Sequence, residues 1–202
     1  VGPDLTLRLN TNAPLSHVLA QTAFVLPGEL NFLLGSDETL QTGIAETARD
    51  FEQKTTDYWR QWTRRLALPL EWQDAVIRAA ITLKLSLYED TGAIIAAMTT
   101  SIPEAPGSSR NWDYRYCWLR DAFFVVRALN SLSEVATMED YLRWMSNVVI
   151  DSQGGHIQPL FGIGLEKSLP ESFVDNLPGY RGMGPVRVGN QAQEHFQHDV
   201  YG

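Results

Sequence analysis

The chain has 202 residues, of which 44% are hydrophobic and 20% are charged, and its formal net charge is −8. This length fits one large domain or one domain and part of another, and the composition is typical of a globular protein. The excess of acidic residues argues against nucleic acid or an anionic membrane surface as the partner.

The cysteine content indicates in which cellular compartment the protein is expected, because disulfides form mainly outside the reducing cytoplasm. The single cysteine, Cys117, cannot form an internal disulfide, and its apolar surroundings in the sequence predict a small buried thiol. No apolar run reaches the roughly 18 residues of a membrane span, and no signal peptide is visible. We therefore expect a cytoplasmic protein. Because the chain begins at Val1 and stops at Gly202 in mid-pattern, we expect it to be an internal part of a longer protein.

The first 36 residues predict β structure. Residues 5–10 alternate between leucine and polar residues, which is the pattern of a half-buried strand. Two further strands are predicted over 18–26 and 30–34, joined by a Pro-Gly turn. From Ile44 onward the hydrophobic period changes from that of a strand to that of a helix.

Helical periodicity then dominates the chain. The predicted helices cover residues 44–66, 72–88, 118–132, 138–150 and 190–202, with long loops over 151–190. The first is amphipathic, and its apolar face comprises Ile44, Ala48, Phe51, Tyr58, Trp59, Trp62 and Leu66. The second is apolar on most sides and is therefore predicted to be buried on most sides. The tryptophans expected in the core are Trp59, Trp62, Trp72 and Trp144.

The densest concentration of functional groups lies at Arg110–Ala122, which reads RNWDYRYCWLRDA. Buried cores rarely hold so many charges, and surfaces rarely expose so many large rings. A sugar suits both components, because its C–H face stacks on Trp or Tyr while its hydroxyls bond to Arg and Asp. The residue types are equally typical of a helix start whose charges pair and whose rings fill a core. Composition alone leaves both interpretations open.

A resemblance favours the first interpretation. Together with Thr99–Glu104, this stretch resembles the signature of family 15 of the glycoside hydrolases, which includes glucoamylases, glucodextranases and bacterial trehalases. A second matching block consists of residues 179–182, 185–190 and 199–202. The blocks occur in the family's order, and the resemblance extends from residue 40 to residue 202.

The resemblance implies a mainly α fold. It would be part of an (α/α)6 toroid of six helical hairpins, preceded by a few β-strands from the end of a β-sandwich domain. Residues 1–36 would then be the last strands of the sandwich, residues 37–68 a linker helix, and residues 69–202 the first part of the catalytic barrel.

The resemblance also implies a site for the terminal sugar. The expected substrate-binding residues are Tyr114, Trp118, Arg120, Asp121, Arg187 and Trp112. Arg120 and Asp121 would bind hydroxyls of the non-reducing glucosyl unit. Inverting family members use two glutamates as general acid and general base, and by resemblance both lie beyond Gly202. The local carboxylates Glu104, Asp113, Asp121, Glu171 and Glu194 are therefore assigned neither role.

The implied activity is that of an inverting, exo-acting glucoside hydrolase. It would release glucose from the non-reducing end of α-glucans, α-oligosaccharides or trehalose, and it would need no cofactor. One alternative is a non-catalytic carbohydrate-binding protein on the same barrel. Another is a helical interaction module whose aromatic stretch is only core. Because helices of an incomplete ring expose apolar faces, we also expect the isolated chain to self-associate.

A metal site is weighed and not expected. His195 and His198 lie three residues apart, so on a helix they would share a face and could bind a metal with Glu194 or Asp199. The H-E-x-x-H spacing is absent and no third ligand is evident, so solvated polar residues are the preferred interpretation.

Overall fold

The computed structural model describes residues 6–152 and 155–201, and within them the fold is mainly helical with four small antiparallel strand pairs. The chain divides into two compact units, Val1–Arg64 and Arg65–Gly202. No helix in the described part of the chain is both long enough and apolar enough to cross a membrane.

The first unit begins with a strand pair. β1 (Leu7–Thr11) runs antiparallel to β2 (Phe32–Ser36). These strands confirm the first and third predicted strands, although residue 5 lies outside the described residues. The strand predicted over 18–26 is wrong. A short helix, α1 (Leu15–Ala20), starts after Pro14 and is followed by Gln21, whose φ of 53° is left-handed. No strand follows before β2. The apolar residues of 18–26 resemble those of a strand in composition, but the segment pairs with no neighbouring strand among the described residues.

The long helix of the first unit is α2 (Ile44–Thr63), as its periodicity predicts. Its charged residues are exposed except for the partly buried Asp57, and Trp62 is buried. The apolar face was predicted too broadly, because Phe51 and Tyr58 are exposed. Helical periodicity predicts which apolar residues share one face of a helix, but that face is buried only where other elements pack against it.

The second unit contains three longer helices, α3 (Gln73–Leu85), α4 (Leu119–Ser131) and α5 (Ala136–Ile150), all close to their predicted ranges. The predicted burial of α3 on most sides is wrong, since only Ala80 and Lys84 are buried along it. The core assignment of Trp72 is also wrong. This residue precedes α3 with a left-handed φ of 61° and is 79% exposed.

Two groups of packed side chains lie in the described core of this unit, where Ala80 and Leu129 are buried as well. The larger comprises Leu87, Ala93, Ile94, Cys117, Leu119, Ala122, Tyr141, Trp144, Val148 and Phe161. The smaller comprises Trp118, Leu160 and Leu169. β3 (Leu87–Tyr88) pairs with β4 (Ala93–Ile94) inside the larger group. Burial raises the pKa of the Cys117 thiol to about 12, which confirms the buried-thiol prediction.

A second strand pair separates the two groups. β5 (Cys117–Trp118) runs antiparallel to β6 (Leu160–Phe161), with Cys117 opposite Phe161 and Trp118 opposite Leu160. Successive side chains of a strand point to opposite faces. Cys117 and Phe161 therefore belong to the larger group, and Trp118 and Leu160 belong to the smaller one.

The end of the chain differs from its prediction. β7 (Ser172–Phe173) pairs with β8 (Arg187–Val188) in the loop region, and the helix expected over 190–202 is wrong. Two short 3-10 turns, Gln191–Glu194 and His198–Val200, take its place within the described residues. His195 is extended between them, so the helical ladder cannot continue.

Candidate functional site

The two sequence blocks meet at the buried carboxylate of Asp113. Arg115 donates two hydrogen bonds to it, Nε to Oδ1 at 2.9 Å and Nη2 to Oδ2 at 2.8 Å. The backbone N–H of Gly189 also donates to Oδ2, at 3.3 Å, and Asn190 Nδ2 donates to the Asp113 carbonyl at 3.1 Å. Asp113 is fully buried. It therefore joins Arg110–Ala122 to the segment that contains Gly189.

Gly189 is the point of closest approach between these segments. Its φ is 86°, and a Cβ on it would lie 2.0 Å from the carbonyl oxygen of Pro170. Its N–H donates a second hydrogen bond to the Tyr116 hydroxyl at 3.0 Å. Only glycine fits this position, because a side chain would meet both strained dihedrals and a backbone clash.

A cavity of about 290 Å³ opens where the blocks meet. It is lined by Trp112, Tyr114, Trp118, Glu171, Asn190, Gln191, Ala192 and His195. The structure thus brings three predicted site residues together, the aromatic ones of the first block. The rings of Tyr114 and Trp118 lie 5.9 Å apart at 46°. Desolvation raises the pKa of Tyr114, whose hydroxyl stays protonated and able to donate a hydrogen bond at neutral pH.

Arg120 and Asp121 are neighbours on α4, and Arg120 lines a second cavity. They occupy the first turn of α4, where Arg120 Nη2 donates to Asp121 Oδ2 at 3.0 Å and Arg120 Nη1 donates to Asp199 Oδ2 at 2.8 Å. The hydrogen bond with Asp199 raises the pKa of Arg120. The two neighbouring side chains therefore form an ion pair. Arg120 lines a cavity of about 440 Å³ with Phe123 and other residues of α4 and α5, and it does not line the first cavity.

Arg187 contacts the wall of the first cavity without lining it. Its Nε donates to Asn111 Oδ1 at 3.0 Å, and its guanidinium forms an ion pair with Glu171. The guanidinium carbon lies 4.9 Å from the ring centre of Trp112 and 5.1 Å from that of Phe173. The sixth predicted site residue is therefore enclosed by its own protein's side chains.

The sequence did not assign five lining residues to the site. These are Glu171, Asn190, Gln191, Ala192 and His195. The sequence did draw attention to two of them, because Asn190 lies in the second block and Glu171 is one of the local carboxylates. Gln191 had no such indication, and His195 was considered only as a possible metal ligand on a predicted helix. Among residues 6–152 and 155–201, no group of His, Cys, Asp or Glu side chains is suited to hold a metal ion.

The helical fold thus places aromatic rings and hydrogen-bonding groups around one cavity. The family model of glycosyl hydrolases family 15 matches residues 71–202, and the chain belongs to this family.

Three curated relatives are trehalases. The chain is 40% identical to the trehalase of Mycolicibacterium smegmatis and 39% identical to that of Mycobacterium tuberculosis, each over 98% of the chain and 30% of the relative. It is 39% identical to the trehalase of Thermoplasma volcanium over 74% of the chain and 24% of the relative. The chain thus spans less than a third of the length of these relatives. No solved structure matches it significantly.

Proposed function

We propose that the whole protein containing this chain is a glycoside hydrolase that cleaves trehalose, and that the chain supplies part of its substrate pocket. The observation that carries this proposal is the convergence of Trp112, Tyr114 and Trp118 on one cavity together with polar groups of Glu171 and Asn190. Aromatic faces stack on the C–H face of a sugar, while amide, carboxylate and hydroxyl groups bond to its hydroxyls.

The charged group at the start of α4 supplies further sugar contacts in this proposal. The side chains of Arg120, Asp121 and Asp199 are 45%, 37% and 41% exposed, so their free donors and acceptors can reach a ligand. Arg120 presents a rigid fork of donors, and the two carboxylates present acceptors. We propose that Arg120 and Asp121 bind hydroxyls of the non-reducing glucosyl unit. Arg187 contacts Trp112 in the wall of the first cavity.

The proposed chemistry is exo-acting hydrolysis with inversion, by a general acid and a general base roughly 6.5–9.5 Å apart across a water molecule. The local carboxylates fit this assignment poorly. Glu104 is engaged by Arg110 and Trp112, and Asp113 is buried under Arg115. Both catalytic glutamates are proposed to lie outside this chain.

The proposed architecture follows the family. Residues 69–202 would form the first part of an (α/α)6 barrel, residues 37–68 a linker helix and residues 1–36 the end of a β-sandwich. In the second unit α4 packs against both α3 and α5, which is compatible with successive helical hairpins.

Hydrolysis assays on the whole protein test the function. The substrates are trehalose, maltose, isomaltose and a longer dextran, and nuclear magnetic resonance identifies the anomer of the glucose first released. We expect trehalose to be cleaved with inversion, which gives one β-glucose and one α-glucose. Cleavage of a glucan but not trehalose would move the proposal to the wider exo-glucosidase activity. No cleavage, with trehalose still quenching tryptophan fluorescence, would favour the non-catalytic binding protein.

We also propose that the isolated 202-residue chain self-associates. Phe123 and Phe124 of α4 and Ile150 of α5 are more than half exposed, and clustered exposed rings favour association. Light scattering after size-exclusion chromatography at several concentrations tests this. A monodisperse monomer with a cooperative melt at high temperature would contradict it.

A further inference from the structure

Trp112 is held in one orientation from three directions. Its indole Nε1 donates to Glu104 Oε1 at 3.0 Å, and its carbonyl oxygen accepts from the N–H of Ser101 at 2.8 Å. The guanidinium of Arg187 lies over its ring, 4.9 Å from the ring centre. The edge and face contacts restrain rotation of the ring, and the backbone contact holds the main chain from which it projects.

Arg187 is itself fixed. One face of its guanidinium contacts Trp112 and another ring, that of Phe173, lies at 5.1 Å. Its Nε donates to the fully buried Asn111, and its ion pair with Glu171 joins two side chains that are only 14% and 18% exposed. Little of the guanidinium remains for a ligand. The ion pair and the ring contact instead connect it to two residues of the cavity wall.

We propose that Arg187 is a positioning residue, which fixes Trp112 as a preformed sugar platform and does not contact the substrate. This inference rests on the proposed function of the cavity as a sugar pocket. Stacking requires the ring to be in place, and a platform ordered before binding avoids the entropy cost of ordering it during binding. Arginine suits this role because its planar fork can stack on a ring while it hydrogen-bonds in its own plane.

A double-mutant cycle separates positioning from direct contact. Arg187→Met is made in the whole protein and in the Trp112→Ala background, and affinity for the sulfur-linked analogue of trehalose, which resists hydrolysis, is measured by calorimetry for all four proteins. We expect Arg187→Met to weaken binding by about tenfold when Trp112 is present and by less than about twofold when it is absent. An equal loss in both backgrounds would show that Arg187 acts on the sugar directly and would overturn the proposal.

The ligand-free protein gives an independent readout. With 5-fluorotryptophan incorporated, the fluorine signal of Trp112 is assigned by its loss in Trp112→Phe. We expect Arg187→Met to shift this signal in the absence of sugar, because the face contact of the ring is lost. Arg187→Lys, which keeps the charge but not the fork, should give a smaller shift and a smaller loss of affinity. An unchanged signal in Arg187→Met would overturn the proposal.

Arg181→Met is the matched control. Arg181 also lies over an aromatic ring, that of Tyr180 at 5.4 Å, but neither residue lines the cavity. We expect no change in the Trp112 signal or in affinity for the analogue. If Arg187→Met does not fold, Arg187→Lys carries the same cycle. If the unsubstituted protein neither binds nor cleaves trehalose, the proposed function fails, and the fluorine signal still decides whether Arg187 positions Trp112.

Discussion

Replacing Asp113 with asparagine tests whether its carboxylate joins the two blocks of the site. Oδ1 accepts from Arg115 Nε, and Oδ2 accepts from both Arg115 Nη2 and the Gly189 N–H. The amide has almost the same shape, but one of its two positions is an NH2 group. In either orientation a donor then faces a donor of Arg115, and in one orientation it also faces the N–H of Gly189.

The size of the effect follows from these contacts. Removing one partner of a buried ion pair costs about 3–5 kcal/mol, and hydrogen bonds to charged groups contribute about 1.5–3 kcal/mol each. The Arg115 side chain is 44% exposed and can regain water, which reduces the cost. The ion pair lies within the first block, so the attachment of the Gly189 segment depends on its single hydrogen bond to the carboxylate, and we expect Asp113→Asn to weaken it by about 1.5 kcal/mol.

Hydrogen exchange at the Gly189 amide measures this attachment directly. A loss of about 1.5 kcal/mol in local opening free energy corresponds to exchange faster by about tenfold. Asp140→Asn is the control, because its ion pair with Arg143 is exposed on α5 and contributes at most about 1 kcal/mol. It should leave Gly189 exchange unchanged. Acceleration of less than about threefold in a folded Asp113→Asn protein would refute the reasoning.

Three further predictions concern single residues. Arg120→Ala should lower kcat of the whole protein on trehalose by about tenfold or more, because binding at the non-reacting end positions the scissile bond, and unchanged kcat and KM would contradict it. The Cys117 thiol should resist alkylation at pH 8 in the folded protein, because burial raises its pKa from 9.0 to about 12, and rapid labelling of the native protein would contradict this. The contribution of the buried, protonated thiol to the free energy of unfolding is full below pH 9.0 and is lost as the pH rises towards 12. The hydrogen bonds from Arg110 and Trp112 lower the pKa of Glu104 below 4.5, so the ionised carboxylate should stabilise the site above pH 4.5 and this stabilisation should be lost as the pH falls through the lowered pKa. The Trp112 fluorine signal should change over that acid range, and Glu104→Gln should abolish the change.

Helical periodicity was sufficient to predict where the helices from α2 to α5 lie, because it depends on local spacing. It could not predict which apolar residues would be covered. Phe51, Trp72 and Leu85 match an apolar pattern and are exposed. The strand predicted over 18–26 failed for a related reason. A strand needs a neighbour to pair with, and a stretch of sequence does not show whether one is present.

The candidate site was predictable to the extent that its residues share one stretch. Trp112, Tyr114 and Trp118 are neighbours in the sequence, and they line one cavity. Glu171 and His195 reach that cavity only because loops return to the first block, held by contacts such as those of Asp113. Such contacts join residues more than 70 positions apart and leave no periodic signal.

The pairing of β5 with β6 makes the length of the signature stretch as important as its composition. Cys117 belongs to the larger core group and Trp118 to the group beside the cavity. A slip of one residue exchanges the two faces of a strand. Deleting one residue between Arg110 and Trp118 would place the Trp118 indole where the smaller Cys117 thiol now packs. The cavity would then lose the wall that Trp118 forms. Library designs for this protein can therefore vary side chains in this stretch but should keep its residue count fixed.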